Sequence, residues 1–502
     1  MKLKYFFAIA CCLLFARINA QQSAAPYKDL YRPQIHFSPK KGWMNDPNGM
    51  VYYKGTYNLF FQYYPDSTVW GPMHWGHATS KDMVHWQEQP VAIFPDSLGY
   101  IFSGSAVADV NNTSGFGKDG QTPLVAIYTN HDPVGEKAHH NNFQTQSIAY
   151  SLDEGKTWVK YEHNPVLANP GITDFRDPKV RWYEAGKKWI MTLATKDRVT
   201  FYSSHNLKDW AKESSFGEDR GAHGGVWECP DLFPLAYEGK TVWVLLVSIN
   251  PGAPNGGSCT QYFTGTFDGH SFVPDDNQLK WIDYGTDDYA GVTWSNTGNR
   301  VVFLGWMSNW IYGQVVPTQV WRSANTIPRE LSLRKINGSY YLASEPVKEL
   351  NSLVTATKTA TAVDGKGYNY PGKLNGAFRI SFTANNLADH QIILSNEVGE
   401  KLIIGYEKNA KQFYIDRSKS GKTDFEPSFA NRQVAPRIAT SADCAITLYV
   451  DASSVELFAD NGLTVMTSIM FPSKPYDGFS IQAGEKMSIQ NLSVSELQSI
   501  WK

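Results

Sequence analysis

Three acidic residues stand in local sequences that are unusually rich in aromatic residues and proline. Asp46 lies in WMNDPNG, Asp177 in FRDP and Glu228 in WECPD. Cleavage of a glycosidic bond passes through an oxocarbenium-like transition state, and it uses one ionised carboxylate and one protonated carboxylic acid that flank the bond. A set of three acids in such settings therefore predicts a glycosidase.

The neighbours of these acids suggest different roles. Asn45 is a polar donor that would keep Asp46 ionised, as a nucleophile requires. Glu228 lies between Trp227 and Cys229, an apolar neighbourhood that would favour the protonated form of an acid, and a nearby ionised Asp46 would favour it further. Taken singly, an Asp-Pro or Asn-Gly pair is also typical of an ordinary turn, where an Asp caps backbone N–H groups.

The segment that must position these acids has the pattern of an all-β fold. Short β-like runs alternate with clusters of Gly, Asn, Asp and Pro, and no long amphipathic helix is apparent. A polar turn that ends on Trp occurs three times, at a spacing of the order of a propeller blade. The alternative is three unrelated surface hairpins. The turns lie at residues 80–86, 151–158 and 204–210.

The pattern of the sequence changes after the segment IPREL at 327–331. Alternating strands such as 377–382 and 454–458 predict a β-sandwich, and this part has few clusters of acids with aromatic residues. We therefore expect a propeller over 28–345 and a sandwich over 354–502, with the chemistry confined to the propeller.

The N-terminus predicts export. Lys2 and Lys4 precede an apolar stretch at 5–15 and a small-residue cleavage site at 18–20, so residues 1–20 are interpreted as a signal peptide. The stretch is too short to span a membrane comfortably. The mature chain would be periplasmic or secreted, and a lipid anchor on Cys11 is an alternative.

Composition limits the class of partner. The 502 residues carry a formal net charge of −2, which argues against nucleic acid because binding phosphates needs a basic face. The 16 Trp, 27 Tyr and 26 Phe suit sugar stacking as well as a β-rich core. His139 and His140 have no third ligand at metal-binding spacing, so no metal and no cofactor are predicted. The oligomeric state stays open.

Beyond the three acids, several longer motifs occur in one order along the chain: FSGSA at 102–106, QYFTGTFDG at 261–269, GWMSNW at 305–310, WRSANTIPREL at 321–331 and SSVELFADNG at 453–462. With the motifs around the acids, they make the chain resemble glycoside hydrolase family 32, the fructan-degrading β-fructosidases, and most of all levanases and exo-inulinases. The resemblance covers nearly the whole mature length. It implies a five-bladed β-propeller followed by a C-terminal β-sandwich and a retaining mechanism that releases fructose from fructans or fructo-oligosaccharides.

The resemblance also implies residue roles. Asp46 matches the nucleophile, Asp177 the transition-state stabiliser that binds fructose hydroxyls, and Glu228 the general acid/base. Asp288 departs from the family, in which an aromatic residue is common, and would alter the leaving-group side of the pocket. The positions that match substrate-binding residues are Asn45, Gln62, Trp70, Phe102, Ser103, Arg176, Asp287 and Trp310.

Several alternatives stay open at the level of sequence. A fructosyltransferase would form the same covalent intermediate and deliver it to a sugar, and an endo-acting fructanase would use the same acids. A non-catalytic propeller lectin would predict loss of one of the three acids, and none is lost. An inverting enzyme on pentose polymers would need wider separation of its carboxylates. The preference for β-2,6 or β-2,1 linkages is not fixed.

Overall fold

The computed structural model describes residues 27–501, and the predicted signal peptide lies outside them. In this range the chain is almost entirely β, as predicted, with helical turns only at α1 (Pro133–Lys137), Glu184–Gly186 and Lys348–Leu353. No helix in this range is long and apolar enough to cross a bilayer.

Five small antiparallel sheets form the blades of the propeller. Blade I contains β1 (Gly42–Tyr53), β2 (Thr56–Tyr64), β3 (His74–Ser80) and β4 (Trp86–Ile93); blade II contains β5 (Tyr100–Ala108), β6 (Leu124–His131), β7 (Gln144–Ser151) and β8 (Val159–Lys160). Blade III contains β9 (Phe175–Tyr183), β10 (Lys188–Thr195), β11 (Val199–Ser204) and β12 (Ala211–Phe216). Blade IV contains β13 (Val226–Tyr237), β14 (Lys240–Asn250), β15 (Cys259–Phe267), β16 (Phe272–Pro274) and β17 (Lys280–Trp281). Blade V contains β18 (Tyr289–Thr293), β19 (Val302–Met307), β21 (Ala324–Asn325), β22 (Arg329–Ile336) and β23 (Ser339–Pro346).

The innermost strands form a closed ring around the axis. β1 contacts β5, β5 contacts β9, β9 contacts β13, β13 contacts β18, and β18 returns to β1. The short strand β20 (Trp321–Arg322) leaves blade V and pairs in parallel with β1 of blade I. This contact ties the end of the propeller to its beginning, so the ring needs no other edge protection.

The repeated turn is confirmed as the same hairpin in three successive blades, between β3 and β4, β7 and β8, and β11 and β12. In each, a serine hydroxyl at the end of the third strand bonds an Asp or Asn two residues later. That side chain then accepts backbone N–H groups of the turn, which closes the connection locally. The pairs are Ser80 with Asp82, Ser151 with Asp153, and Ser204 with Asn206.

All five innermost strands carry a β-bulge, in which two of their residues stand opposite one residue of the second strand. A bulge leaves a residue unpaired and re-aims its side chain. Pro178 and Pro230 fit in these positions because a bulged residue needs no ladder N–H. The bulges are Asn45–Asp46 opposite Gln62, Phe102–Ser103 opposite Thr129, Asp177–Pro178 opposite Leu193, Cys229–Pro230 opposite Val247, and Ala290–Gly291 opposite Gly305.

The C-terminal part is a β-sandwich joined by one long bent strand, β33 (Gly478–Leu497). On one side it pairs with β26 in its first part and with β25 in its second part, and on the other side it pairs with β24 along nearly its whole length. In β25, Phe378, Ile380 and Phe382 alternate into the core as predicted. The other strands are β24 (Val354–Asn369), β25 (Ala377–Asn385), β26 (His390–Ser395), β27 (Lys401–Glu407), β28 (Gln412–Lys419), β29 (Arg432–Pro436), β30 (Cys444–Asp451), β31 (Ser454–Ala459) and β32 (Thr464–Ile469).

Candidate active site

A pocket of about 230 Å³ opens on the propeller axis, where the bulges of β1, β5, β9 and β13 converge. It is smaller than the roughly 300–1,000 Å³ of sites for drug-sized ligands, and has room for about one sugar residue. The side chains that line it are Asn45, Asp46, Gln62, Trp70, Phe102, Ser103, His131, Glu136, Gln144, Asp174, Arg176, Asp177, Glu228 and Trp310.

Asp46 is held by donors from two blades. The Ser103 hydroxyl donates to its Oδ2 at 2.7 Å, and the Asn45 amide donates to its Oδ1 at 2.8 Å. The indole N–H of Trp43 in turn donates to Asn45 at 2.7 Å, which fixes the orientation of that amide. The expected hydrogen bond from Asn45 to Asp46 is therefore present. Two aligned donors favour the ionised carboxylate.

Asp177 lies in the bulge of β9 with φ of 64°, a left-handed conformation that non-glycine residues rarely adopt. Its own N–H donates to the Thr129 hydroxyl at 3.0 Å, and its Oδ2 accepts the backbone N–H of Cys229 at 3.0 Å. The Cys229 sulfur lies 3.4 Å from Oδ2 of Asp46 and 3.6 Å from Oδ2 of Asp177. Cys229, also left-handed with φ of 45°, thus bridges the two aspartates.

The environment of Glu228 differs from the apolar one that its sequence neighbours predict. Successive side chains of a strand point to opposite faces, and Trp227 is buried in the core, with its indole N–H bonded to the Ala222 carbonyl. The Glu228 carboxylate instead accepts two hydrogen bonds from Arg176, at 3.0 and 3.2 Å, and a short one from the Tyr289 hydroxyl. The prediction of an apolar environment was wrong, because residues distant in sequence define it.

Electrostatics couple the three acids. Burial and the charge of Glu228 raise the pKa of Asp46, against the hydrogen bonds from Ser103 and Asn45. Burial also raises the pKa of Asp177 to about 7, although Arg176 opposes the shift. Burial would lower the pKa of Arg176, but Glu228 and Asp174 outweigh it and raise that pKa. Raised pKa values of this kind are typical of acids at catalytic sites.

Ten of the eleven site residues proposed from sequence line this pocket, and Asp287 does not. Asp287 is fully buried against the sandwich, where Arg417 and the Tyr312 hydroxyl donate to it at 2.8 and 2.6 Å. Its assignment as a substrate-binding residue was wrong. Asp288 is equally buried and binds Arg329 at 2.9 Å, so it does not shape the leaving-group side of the pocket either.

Sequence reasoning missed four residues that line the pocket, His131, Glu136, Gln144 and Asp174, and also Tyr289, which contacts Glu228. A signal for one existed in β7, where Gln144 and Gln146 alternate along an otherwise core strand. Both are buried, and they bond the backbone N–H and carbonyl of Phe175 at 2.8 Å each, which anchors β9 next to Asp177. Polar residues at alternate positions of a buried strand indicate such a positioning role.

A closed ring of bulged strands with three acids converging on an axial pocket, joined to a β-sandwich, defines a class of glycoside hydrolases. Residues 36–346 match the family model "Glycosyl hydrolases family 32 N-terminal domain", and residues 346–496 match "Glycosyl hydrolases family 32 C terminal". The chain belongs to glycoside hydrolase family 32 and is an enzyme of the β-fructofuranosidase type.

Individual relatives match along most of their length. The levanase of Bacillus subtilis is 44% identical over 97% of this chain and 74% of its own. The extracellular exo-inulinase of Aspergillus niger is 43% identical over 89% of this chain and 90% of its own. Among solved structures, the exo-inulinase of Aspergillus awamori has a TM-score of 0.87 at 38% identity, covering 95% of this chain and 100% of its own. The β-fructofuranosidase of Schwanniomyces occidentalis, complexed with fructosyl-erythritol, has a TM-score of 0.86 at 35% identity, over 95% and 99%.

Proposed function

We propose that the chain removes terminal fructose residues from fructans and fructo-oligosaccharides, as an exported, exo-acting hydrolase that retains configuration. The observation that supports this most is the axial pocket, which has room for about one sugar residue and contains all three acids. The levanase and exo-inulinases among its relatives, some of them named as extracellular, support the substrate class and the export.

In the first step, a carboxylate oxygen of Asp46 attacks the anomeric carbon of the bound fructosyl residue. Glu228 gives a proton to the glycosidic oxygen, which leaves with the bond electrons. In the second step, Glu228 takes a proton from water, and the water oxygen displaces Asp46 and releases fructose. Arg176 donates both of its hydrogen bonds to Oε1 of Glu228, whereas Oε2 accepts only from Tyr289 and has a second lone pair that can carry the transferred proton.

The role of Asp177 follows from its position. Asp177 does not transfer a proton in this scheme. Its carboxylate accepts hydrogen bonds from the hydroxyls of the fructosyl ring. Its backbone and its Oδ2 are fixed by Thr129 and Cys229. Such preorganised acceptors stabilise a transition state without reorganisation.

The experiment that tests this function is a time course of the products that the purified protein releases from levan and from inulin. We expect fructose alone from the earliest points, because a closed pocket admits only a chain end. The faster polymer identifies the preferred linkage. An early ladder of oligosaccharides would contradict exo action, and products longer than the substrate would identify a fructosyltransferase.

The acid/base assignment is tested with Glu228→Gln, and Glu154→Gln at an exposed turn is the matched control. We expect turnover to fall by about 10²–10⁴-fold, as for loss of a general acid, while calorimetry still detects binding of an oligofructoside. Near-normal turnover would refute the assignment. In the wild type, a trapped fructosyl adduct should map to Asp46 by mass spectrometry, and an adduct on another residue would refute the nucleophile.

A further inference from the structure

One wall of the pocket is built by a segment that none of the family motifs includes. It joins β6 to β7 over residues 132–143 and contains α1, whose N-terminus is capped by Asp132. Glu136 of α1 lines the pocket although its side chain is 54% exposed. It is thus a carboxylate that lines the pocket and is also open to solvent.

The orientation of Glu136 is fixed from behind by His131. Oε1 of Gln144 accepts the backbone N–H of Phe175 at 2.8 Å, so its Nε2 faces Nδ1 of His131 at 3.2 Å. An amide nitrogen can only donate, so Nδ1 accepts and the ring proton lies on Nε2. That N–H donates to Oε2 of Glu136 at 3.2 Å.

The imidazole itself cannot swing away. It is 3% exposed and stacks on Phe102, another pocket residue, with ring centroids 4.2 Å apart and an angle of 7°. One oxygen of Glu136 is therefore held, while Oε1 has no hydrogen-bond partner within the described part of the chain. An oriented, unused acceptor is suited to sugar hydroxyls.

A second, open groove of about 630 Å³ is lined by the residues that follow α1, His139 to Asn142, and by the loop at Asn169 to Gly171. Its side chains are amides and imidazoles, which can donate to and accept from hydroxyls. A second rim, near the pocket residues Trp70 and Trp310, is apolar and presents exposed Val69, Trp70, Ile311 and Val315. A hydroxyl-rich chain loses fewer hydrogen bonds on the polar side.

We propose that Glu136 binds the hydroxyls of the sugar residue on the leaving-group side of the scissile bond, and that the groove at His139–Asn142 and Asn169 binds the next residue. Glu136 is thus a specificity-determining residue that favours oligomeric fructosides over small leaving groups. This inference rests on the proposed function.

The test compares kcat/KM for a fructo-tetrasaccharide with kcat/KM for p-nitrophenyl β-fructofuranoside, whose leaving group has no hydroxyls of a sugar. Glu136→Ala should lower the ratio of the two values about tenfold, the effect of one charge-assisted hydrogen bond. Glu184→Ala, in the exposed turn between β9 and β10, is the matched control and should leave the ratio unchanged. An unchanged ratio in Glu136→Ala would overturn the proposal, as would an equal loss on both substrates, which indicates only a disturbed Phe102–His131 stack.

Two further variants locate the second residue of the leaving group. The double variant Asn141→Ala, Asn169→Ala should lower kcat/KM for the tetrasaccharide relative to sucrose by about threefold to tenfold. If Ile311→Ser lowers that ratio instead, the chain leaves over the apolar rim and the groove assignment is wrong. A wild-type protein that cleaves none of these fructosides would refute the proposed function, which is a different outcome from an active enzyme with unchanged ratios.

Discussion

Two clusters of buried acids in this molecule contain the same residue types but have different roles. The catalytic cluster consists of Asp46, Asp177 and Glu228 at the propeller axis. The interface cluster lies between the propeller and the sandwich. It contains the acids Asp283, Asp287, Asp288 and Glu456 and the cations Arg329 and Arg417, all of them 0% exposed at the side chain.

In the interface cluster, every acid contacts a cation, although Oδ1 of Asp288 has no hydrogen-bond partner among the described residues. Arg329 of the propeller binds Asp283 and Asp288 with one nitrogen, at 3.0 and 2.9 Å, and Glu456 of the sandwich with the other, at 2.5 Å. Glu456 also accepts the backbone N–H of Ile327 and lies 2.8 Å from His36. Charges that are paired inside a buried interface hold the two domains in one arrangement, and no substrate can reach them.

In the catalytic cluster, cations are scarce and the site opens to substrate. The residues that line the pocket include five carboxylates and a single arginine, Arg176. Of the five carboxylates, Arg176 contacts those of Glu228 and Asp174. Asp46 and Asp177 share the Cys229 side of the site without a cation in hydrogen-bond contact. Charge compensation alone does not separate the two clusters, since burial raises the pKa of Asp288 in the interface cluster as well. What distinguishes the catalytic acids is that they line a pocket that a substrate can enter.

The largest effect is expected from removal of Arg329. Arg329→Met leaves Glu456 and two aspartates buried without their cation, which costs about 3–5 kcal/mol when one partner of a buried pair is removed. Urea unfolding should show this loss of stability. Arg334→Met breaks the exposed pair with Glu345 and should change the free energy of unfolding by at most about 1 kcal/mol. Equal effects of the two variants would mean that the interface cluster does not hold the two domains together.

The next effect concerns His36, which bridges Asp451 and Glu456 at 2.7 and 2.8 Å. Burial alone would lower its pKa, but these two hydrogen bonds raise it to about 9. A folded pKa above the unfolded value of about 6.5 contributes stability that is complete below pH 6.5 and lost as the pH rises through about 9. The loss should reach about 3 kcal/mol between pH 6.5 and 10.

Urea unfolding across that pH range measures this loss. His36→Gln should flatten the dependence, whereas His85→Gln, at a surface pair with Asp82, should leave it as in the wild type. If the wild type kept its stability up to pH 10, His36 would not be charged in the folded protein.

Much of the fold and the three acids could be predicted because the motifs are local. Asp46 and Asp177 lie in a bulge, and Glu228 directly precedes one. A few neighbouring residues therefore specify both the side chain and the backbone that orients it. The repeated turns are likewise closed within a few residues, as at Ser80 and Asp82.

The errors concern contacts between segments that are distant in the chain. Asp287 lies two residues before Tyr289, which contacts Glu228, so its place in the sequence is close to that of a site residue. What decides its role is Arg417, 130 residues away. The environment of Glu228 was misread for the same reason, since Arg176 and Tyr289 come from other strands. A single sequence specifies which residues are polar, but not which charges meet.

The smallest expected effect is a difference in sign between two Asp→Asn variants, one in each cluster. Asp177→Asn should stabilise the protein by about 1–2 kcal/mol at pH 8, as loss of a functional residue often does, because the raised pKa of Asp177 means that its ionised form opposes folding. The protonated form of Asp177 does not oppose folding, so the stability of the wild type is undiminished below the unfolded pKa of about 3.8 and is lost as the pH rises through about 7. The gain from Asp177→Asn should therefore vanish at pH 4. Asp287→Asn, with the same change in charge, should lower stability by about 2 kcal/mol because it weakens the bond to Arg417. Thermal unfolding of both variants at pH 8 measures the two signs, and a common sign would mean that the acids of the two clusters are compensated alike.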